Sequence, residues 1–261
     1  MPDQPWSESI DRIQDLMRSH HFTDEPVRNT VATSQWRALN VPVEAEDLSR
    51  ADVFDLAATA RSSDTDEDLY SLFWHVIAWG IVGSFRNAAP MAREAQTAAG
   101  REQIVNAMRN GSTFSYEGDL RDAYETFSSR LKIRRLGPAF FTKMIYFTGN
   151  RDSDKPRGLI LDDRVRGALF ALSGEWYGAG GSKAAKRYET YCHEIHYQAE
   201  NGSTTVDAIE NRLYRLGQLI DNQRSIWLHA EVALYREGAE SVTFDAIVEK
   251  VQSTTKARAG R

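Results

Sequence analysis

The sequence holds a single cysteine, Cys192, in 261 residues. That excludes a disulfide framework and any cysteine-rich zinc or iron–sulfur centre, and it points to a reducing compartment. Excess positive charge is also missing. Lys plus Arg is 32 against 37 for Asp plus Glu, a net charge of −5, which excludes a strongly basic nucleic-acid coat. At 41% hydrophobic residues the chain is equally far from an acidic disordered polymer. No apolar stretch follows the polar opening Met1-Pro2-Asp3-Gln4-Pro5, so no targeting signal is expected, and the expected location is cytoplasmic. The most apolar run, 72–83, is shorter than the roughly 20 residues that span a membrane. It carries His75, Gly80 and Gly83, and reads as the buried central helix of a soluble core. Alternating β-branched runs are nearly absent, and no phosphate-loop or Gly-x-Ser-x-Gly motif occurs.

What remains is helical periodicity. Ile10, Ile13, Leu16 and Met17 share one face. Further helices are expected at about 25–38, 46–61, 66–86, 91–109, 117–131, 139–148, 163–173, 182–200, 205–221, 224–237 and 243–254, the last capped by Thr243. Asp66, Glu67 and Asp68 suit the positive end of their helix. Clusters of Gly, Ser and Asp mark loops at 62–65, 110–112, 149–158, 178–182 and 201–204. The expected fold class is all-α. Residues 1–261 form one helical unit of two interlocked subdomains, about 1–130 and about 131–252, followed by a basic tail at 253–261.

Charge is unevenly spread. The window 130–166 contains ten Lys or Arg and four acids, a local excess of six positive charges in a negatively charged chain. Such a window is the footprint of a polyanion, or simply a solvated positive face.

Within it runs Ile133-Arg134-Arg135-Leu136-Gly137-Pro138-Ala139-Phe140-Phe141-Thr142-Lys143-Met144-Ile145-Tyr146-Phe147. A helix ending near Leu131 meets a tight turn at Gly137, and Pro138 opens a new helix, where its missing N–H costs nothing. Helix, turn and helix leave backbone N–H groups at a helix N-terminus, a ready phosphate site. Downstream, Leu159-Ile160-Leu161-Asp162-Asp163-Arg164 places a short apolar run and an acid before another helix.

These two segments resemble the helix–hairpin–helix DNA glycosylase superfamily, and in particular bacterial proteins with the 8-oxoguanine DNA glycosylase fold. The resemblance covers about 130–170 and implies an all-α glycosylase fold with a central hairpin and no N-terminal β domain. It implies a catalytic aspartate at Asp162, with Asp163 taking the role if the register slips by one. Arg164 stands where many members have a His. Counting from Gly137, the family's lysine position holds Ala139, whereas Lys143 follows Thr142 and precedes Asp162 by 19 residues, close to the family's spacing. Either Lys143 is the nucleophile of a bifunctional glycosylase and lyase, or the chain is a monofunctional glycosylase. The resemblance implies duplex DNA as partner; no cofactor, no metal and no obligatory protein partner is expected. Arg134, Arg135, Gly137, Ala139 and Arg164 are then the expected DNA contacts, and Phe140, Phe141, Trp176 and Tyr177, with Trp74 and Trp79, the candidate walls of a base pocket. An 8-oxoguanine-like purine is the favoured base. Removal of modified bases from phage DNA in antiviral defence, a hairpin DNA-binding module without chemistry, and a scaffold for an acidic protein are the alternatives. Cys192, His193 and His196 resemble half a metal site, but they read as a solvated helix face.

Overall fold

The structure, a computed structural model, describes residues 29–30, 33–44, 47–81, 87–173, 177, 183–202, 204–219 and 249–250. The chain divides into two compact units. One is Glu25–Asp162 with Ser182–His193; the other is Asp163–Gly181 and Glu194–Arg261 with Met1–Asp24. Among the described residues the fold is all-α, and the one ladder is an antiparallel pair of two-residue strands.

In the first unit, β1 (Asn29–Thr30) pairs with β2 (Asp47–Leu48), and α1 (Thr33–Ala38) lies between them in sequence. The helices expected at 25–38 and 46–61 are therefore shorter and preceded by strand. In the second case the start is set by Ser49, which forms a capping box with Asp52 and begins α2 (Arg50–Ser63). The Ser49 hydroxyl accepts from the Asp52 amide at 3.2 Å, and the Asp52 carboxylate accepts from the Ser49 amide at 2.8 Å.

Thr65 caps α3 (Asp66–Trp79), and the three acids of its first turn stand as expected. Every residue from 72 to 79 is buried, so this is the central helix that the apolar run implied. It ends at Trp79 with Gly80 as its cap, short of the expected 86.

The helix expected at 91–109 is two helices, α4 (Ala88–Ala95) and α5 (Ala98–Glu117). Thr97 causes the break, because its hydroxyl accepts from the Gly100 amide at 3.0 Å and caps the new helix. α5 then runs straight through 110–112, where composition marks a loop. Gly111 belongs there for packing: a Cβ would lie 2.3 Å from the Phe127 ring. Gly118, at φ +80, ends α5 and splits the helix expected at 117–131. α6 (Leu120–Glu125) follows and widens into one π-helical turn, Thr126–Arg130, carrying Phe127.

α7 (Pro138–Thr148) is the hub, packing against α2, α3, α5 and α6. Its neighbours are largely aromatic. Phe141 lies between Tyr124 and Phe127, and Phe147 meets Trp79 edge-on with centroids 4.9 Å apart. Burying each large apolar side chain is worth about 1.5–3 kcal/mol, so this cluster anchors α7.

In the second unit, α8 (Asp163–Ser173) packs against α10 (Val206–Leu219). α9 (Ala184–Asn201) starts in the first unit and ends in the second. The expected N-terminal helical face, the helices at 224–237 and 243–254 with Thr243, and the basic tail lie outside the described residues, apart from the helical pair 249–250.

Candidate active site

The site begins at the hairpin. Its reversal falls on Arg134 and Arg135, with Arg135 in the left-handed region at φ 67 and the Leu136 amide donating to the Ile133 carbonyl at 3.2 Å. This corrects the expectation of a tight turn at Gly137. Gly137 is extended, φ −88 and ψ 171, and a Cβ there would meet nothing within 4 Å. Its carbonyl accepts from the Phe140 and Phe141 amides, at 2.9 and 3.1 Å, to start α7. Pro138 sits in the first turn as expected. Among the described residues the amides of Gly137 and Ala139 meet no acceptor, which leaves two donors at the positive end of the helix.

One turn further on is Lys143, only 6% exposed. Its Nζ donates to the Ala139 carbonyl at 2.6 Å and lies 5.7 Å from the centre of the Phe140 ring. It also stands 3.8 Å from Asp162 Oδ2. A lysine is seldom buried unless paired, because its charge must be compensated, and here the compensation comes from a carbonyl and a carboxylate.

Asp162 reaches that position through the run before it. Leu159, Ile160 and Leu161 are buried, yet among the described residues no strand pairs with them. Three hydroxyls do the work of a ladder. Tyr188 Oη accepts from the Leu159 amide at 3.1 Å and donates to its carbonyl at 2.8 Å. Tyr191 Oη donates to the Ile160 carbonyl at 3.1 Å. Thr142 Oγ1 accepts from the Leu161 amide at 3.1 Å while donating to the Pro138 carbonyl at 2.7 Å. None of the three was singled out from the sequence as a site residue; the signal was a Tyr-x-x-Tyr pair on an amphipathic helix and a Thr beside the lysine. Burial drives the Tyr188 hydroxyl well above the ordinary tyrosine value, so it stays a neutral donor.

Of the two adjacent acids, Asp162 is the one beside Lys143. Asp163 is largely exposed and pairs with Arg166 at 3.0 Å. Arg134 and Arg135 are both held by Glu94 on α4, at 3.0 and 3.6 Å from its Oε1. Arg164, in the second unit, donates to the Tyr214 hydroxyl, and its guanidinium lies 5.1 Å from the centre of that ring.

The candidate pocket walls separate. Phe141, Trp74 and Trp79, at 2%, 0% and 5% exposure, are core residues whose rings pack against other aromatics. Phe140 is half-buried beside Lys143 Nζ and keeps that possibility. Tyr177 is buried in the second unit, its carbonyl accepting from Arg166 Nε at 2.8 Å, and Trp176 lies outside the described residues.

Cys192 is buried, not on a solvated face, and burial pushes its thiol up to about 12. Among the described residues no three His, Cys, Asp or Glu side chains converge as metal ligands do, and no helix is long and apolar enough to cross a membrane.

A family profile described as "Putative 8-oxoguanine DNA glycosylase OGG-like protein" matches residues 15–214. No curated protein and no solved structure matches the chain.

Proposed function

Because the chain belongs to the OGG-like family of DNA glycosylases, with DNA as substrate partner, we propose that it excises an oxidised, 8-oxoguanine-like purine from duplex DNA and then nicks the strand. The observation that carries this is the buried Lys143 ammonium 3.8 Å from Asp162. An amine attacks only when neutral. In this reading Lys143 gives one proton to Asp162, and its lone pair forms a bond to the sugar C1′. The C1′–N bond breaks, the electron pair leaves with the base, and the base takes up the proton from Asp162. The carboxylate thus regenerated faces the positive charge now carried by the Lys143 nitrogen at C1′. The Lys143 nitrogen then passes a second proton to the ring oxygen O4′ as the C1′–O4′ bond breaks, which gives a Schiff base. The Asp162 carboxylate next takes a C2′ proton, a C2′=C3′ bond forms, and the 3′ C–O bond breaks with the phosphate as leaving group. The free amides of Gly137 and Ala139, with Arg134 and Arg135, hold the phosphates.

One observation favours a second reading. Ala139 stands where the family lysine is counted, so Lys143 would act only as a positioned cation in a monofunctional enzyme. Borohydride trapping on duplexes holding 8-oxoguanine, an abasic site or modified pyrimidines decides between them. The proposal expects a covalent band that Lys143→Gln abolishes and that Asp162→Asn weakens without loss of binding. No band, with alkali-labile sites left in the DNA, overturns the lyase step. No band and no alkali-labile sites overturn the glycosylase reading as well.

A further inference from the structure

Gly80 caps α3 at φ −76 and ψ −5, a right-handed conformation open to every residue. Its backbone therefore gives no reason for glycine. Space does: a Cβ at this position would lie 2.9 Å from Lys143 Cδ and 3.1 Å from Lys143 Cε. The aliphatic stem of Lys143 runs through the volume that any other residue at position 80 would fill. At the far end of the stem, Nζ is held by the Ala139 carbonyl and lies near Asp162. Lys143 Cδ and Cε have little room to retreat, because the residue is 6% exposed and its helix packs against α2, α3, α5 and α6.

We infer that Gly80 is a positioning residue for the reaction, its missing side chain being what lets the Lys143 stem lie along the end of α3 with the amine at Asp162. The inference rests on the reading of Lys143 as nucleophile and adds the element that sets its reach. A side chain at position 80 displaces the stem sideways and moves Nζ away from the carboxylate, by an amount of the order of a methyl group. Reactive geometry tolerates little of this, and a misplacement of about 1 Å costs on the order of a hundredfold in rate.

The test is Gly80→Ala. Wild type, Gly80→Ala and Lys143→Gln are compared for single-turnover borohydride trapping and, separately, for the dissociation constant on the same duplex. The expected result is trapping slowed about a hundredfold in Gly80→Ala, with affinity unchanged. Trapping at the wild-type rate overturns the inference while leaving the Lys143 reading intact. If wild type does not trap at all, the Lys143 reading fails and the catalytic role of Gly80 fails with it; whether Gly80 places the amine is then decided by carbon NMR of the reductively methylated protein. The Lys143 signal, assigned by its loss in Lys143→Gln, should then change position and titration midpoint in Gly80→Ala; an unmoved signal overturns the claim. If Gly80→Ala does not fold, the double variant Gly80→Ala/Lys143→Ala separates the causes. Recovery of folding, with the Tm of Lys143→Ala alone, places the collision on the lysine stem. Failure of the double variant places it elsewhere and overturns the inference.

Discussion

The Leu161 amide donates to Thr142 Oγ1 at 3.1 Å, so the residue before Asp162 is tied to the residue before Lys143. The bond joins the two chain segments at the point where the ion pair forms. Thr142 is fully buried, and its hydroxyl serves two partners at once. Thr142→Val keeps the shape and strands a buried amide, at a cost of about 1–3 kcal/mol. The expected outcome is a lower Tm, a slower single-turnover rate and unchanged DNA affinity, with Thr142→Ser recovering most of both losses. A Val variant with wild-type Tm would contradict the assignment.

Glu94 occupies both hairpin arginines. Phosphate must displace it, and an exposed pair of this kind is worth up to about 1 kcal/mol. Glu94→Gln should therefore tighten duplex binding by up to about fivefold at low salt. Arg134→Ala should weaken it and flatten the logarithmic salt dependence by about one unit. Fluorescence anisotropy across a salt series measures both. Equal affinities for wild type and Glu94→Gln would show that these arginines do not meet the DNA.

His75 is buried on α3, its Nδ1–H donating to the Ser71 carbonyl at 2.8 Å, and burial holds its pKa below the usual 6.5. The unfolded chain binds this proton more readily than the folded one. Its contribution to stability is therefore complete above pH 6.5 and is lost progressively as the pH falls below that value toward the folded pKa. Tm should fall as pH drops below 6.5, and His75→Gln should flatten that limb specifically. An acid limb unchanged in the variant would assign the loss to other groups.

Gly111→Ala sets two effects against each other. Alanine improves helix propensity by about 1 kcal/mol, but its Cβ would sit 2.3 Å from a buried Phe127 ring that is stacked on Phe141. Overpacking of this kind costs about 1–3 kcal/mol. The expected result is a lower Tm despite the better helix former. A rise in Tm would mean that the π-helical turn yields at no cost.

The helical class, the buried helix around 72–79, Pro138 in the first turn of α7 and the meeting of Lys143 with Asp162 were all legible in the sequence. Periodicity, proline chemistry and spacing are local, or follow a resemblance that runs along the chain. What was not legible depends on tertiary partners. Gly111 looks like a loop until Phe127 is known to press against it. Thr97 looks like any helical threonine until its hydroxyl is seen to cap a new helix. Gly137 attracts the turn by composition, yet the left-handed conformation falls on Arg135. Phe141 has the identity of a pocket wall and the position of a core residue, and only packing tells the two apart.

The stretch from Leu159 to Leu161 has one more consequence. Apolar packing is indifferent to sliding, since three successive branched side chains would fill much the same volume after a shift of one residue. Hydroxyls are not indifferent: Tyr188, Tyr191 and Thr142 each grip a particular peptide group. They act as the teeth of a ratchet on a segment that, among the described residues, no sheet indexes. Two aspartates stand side by side after it, and a slip of one notch would bring Asp163 toward the lysine in place of Asp162. Three side chains that carry no charge thus help to decide which of those carboxylates meets the lysine.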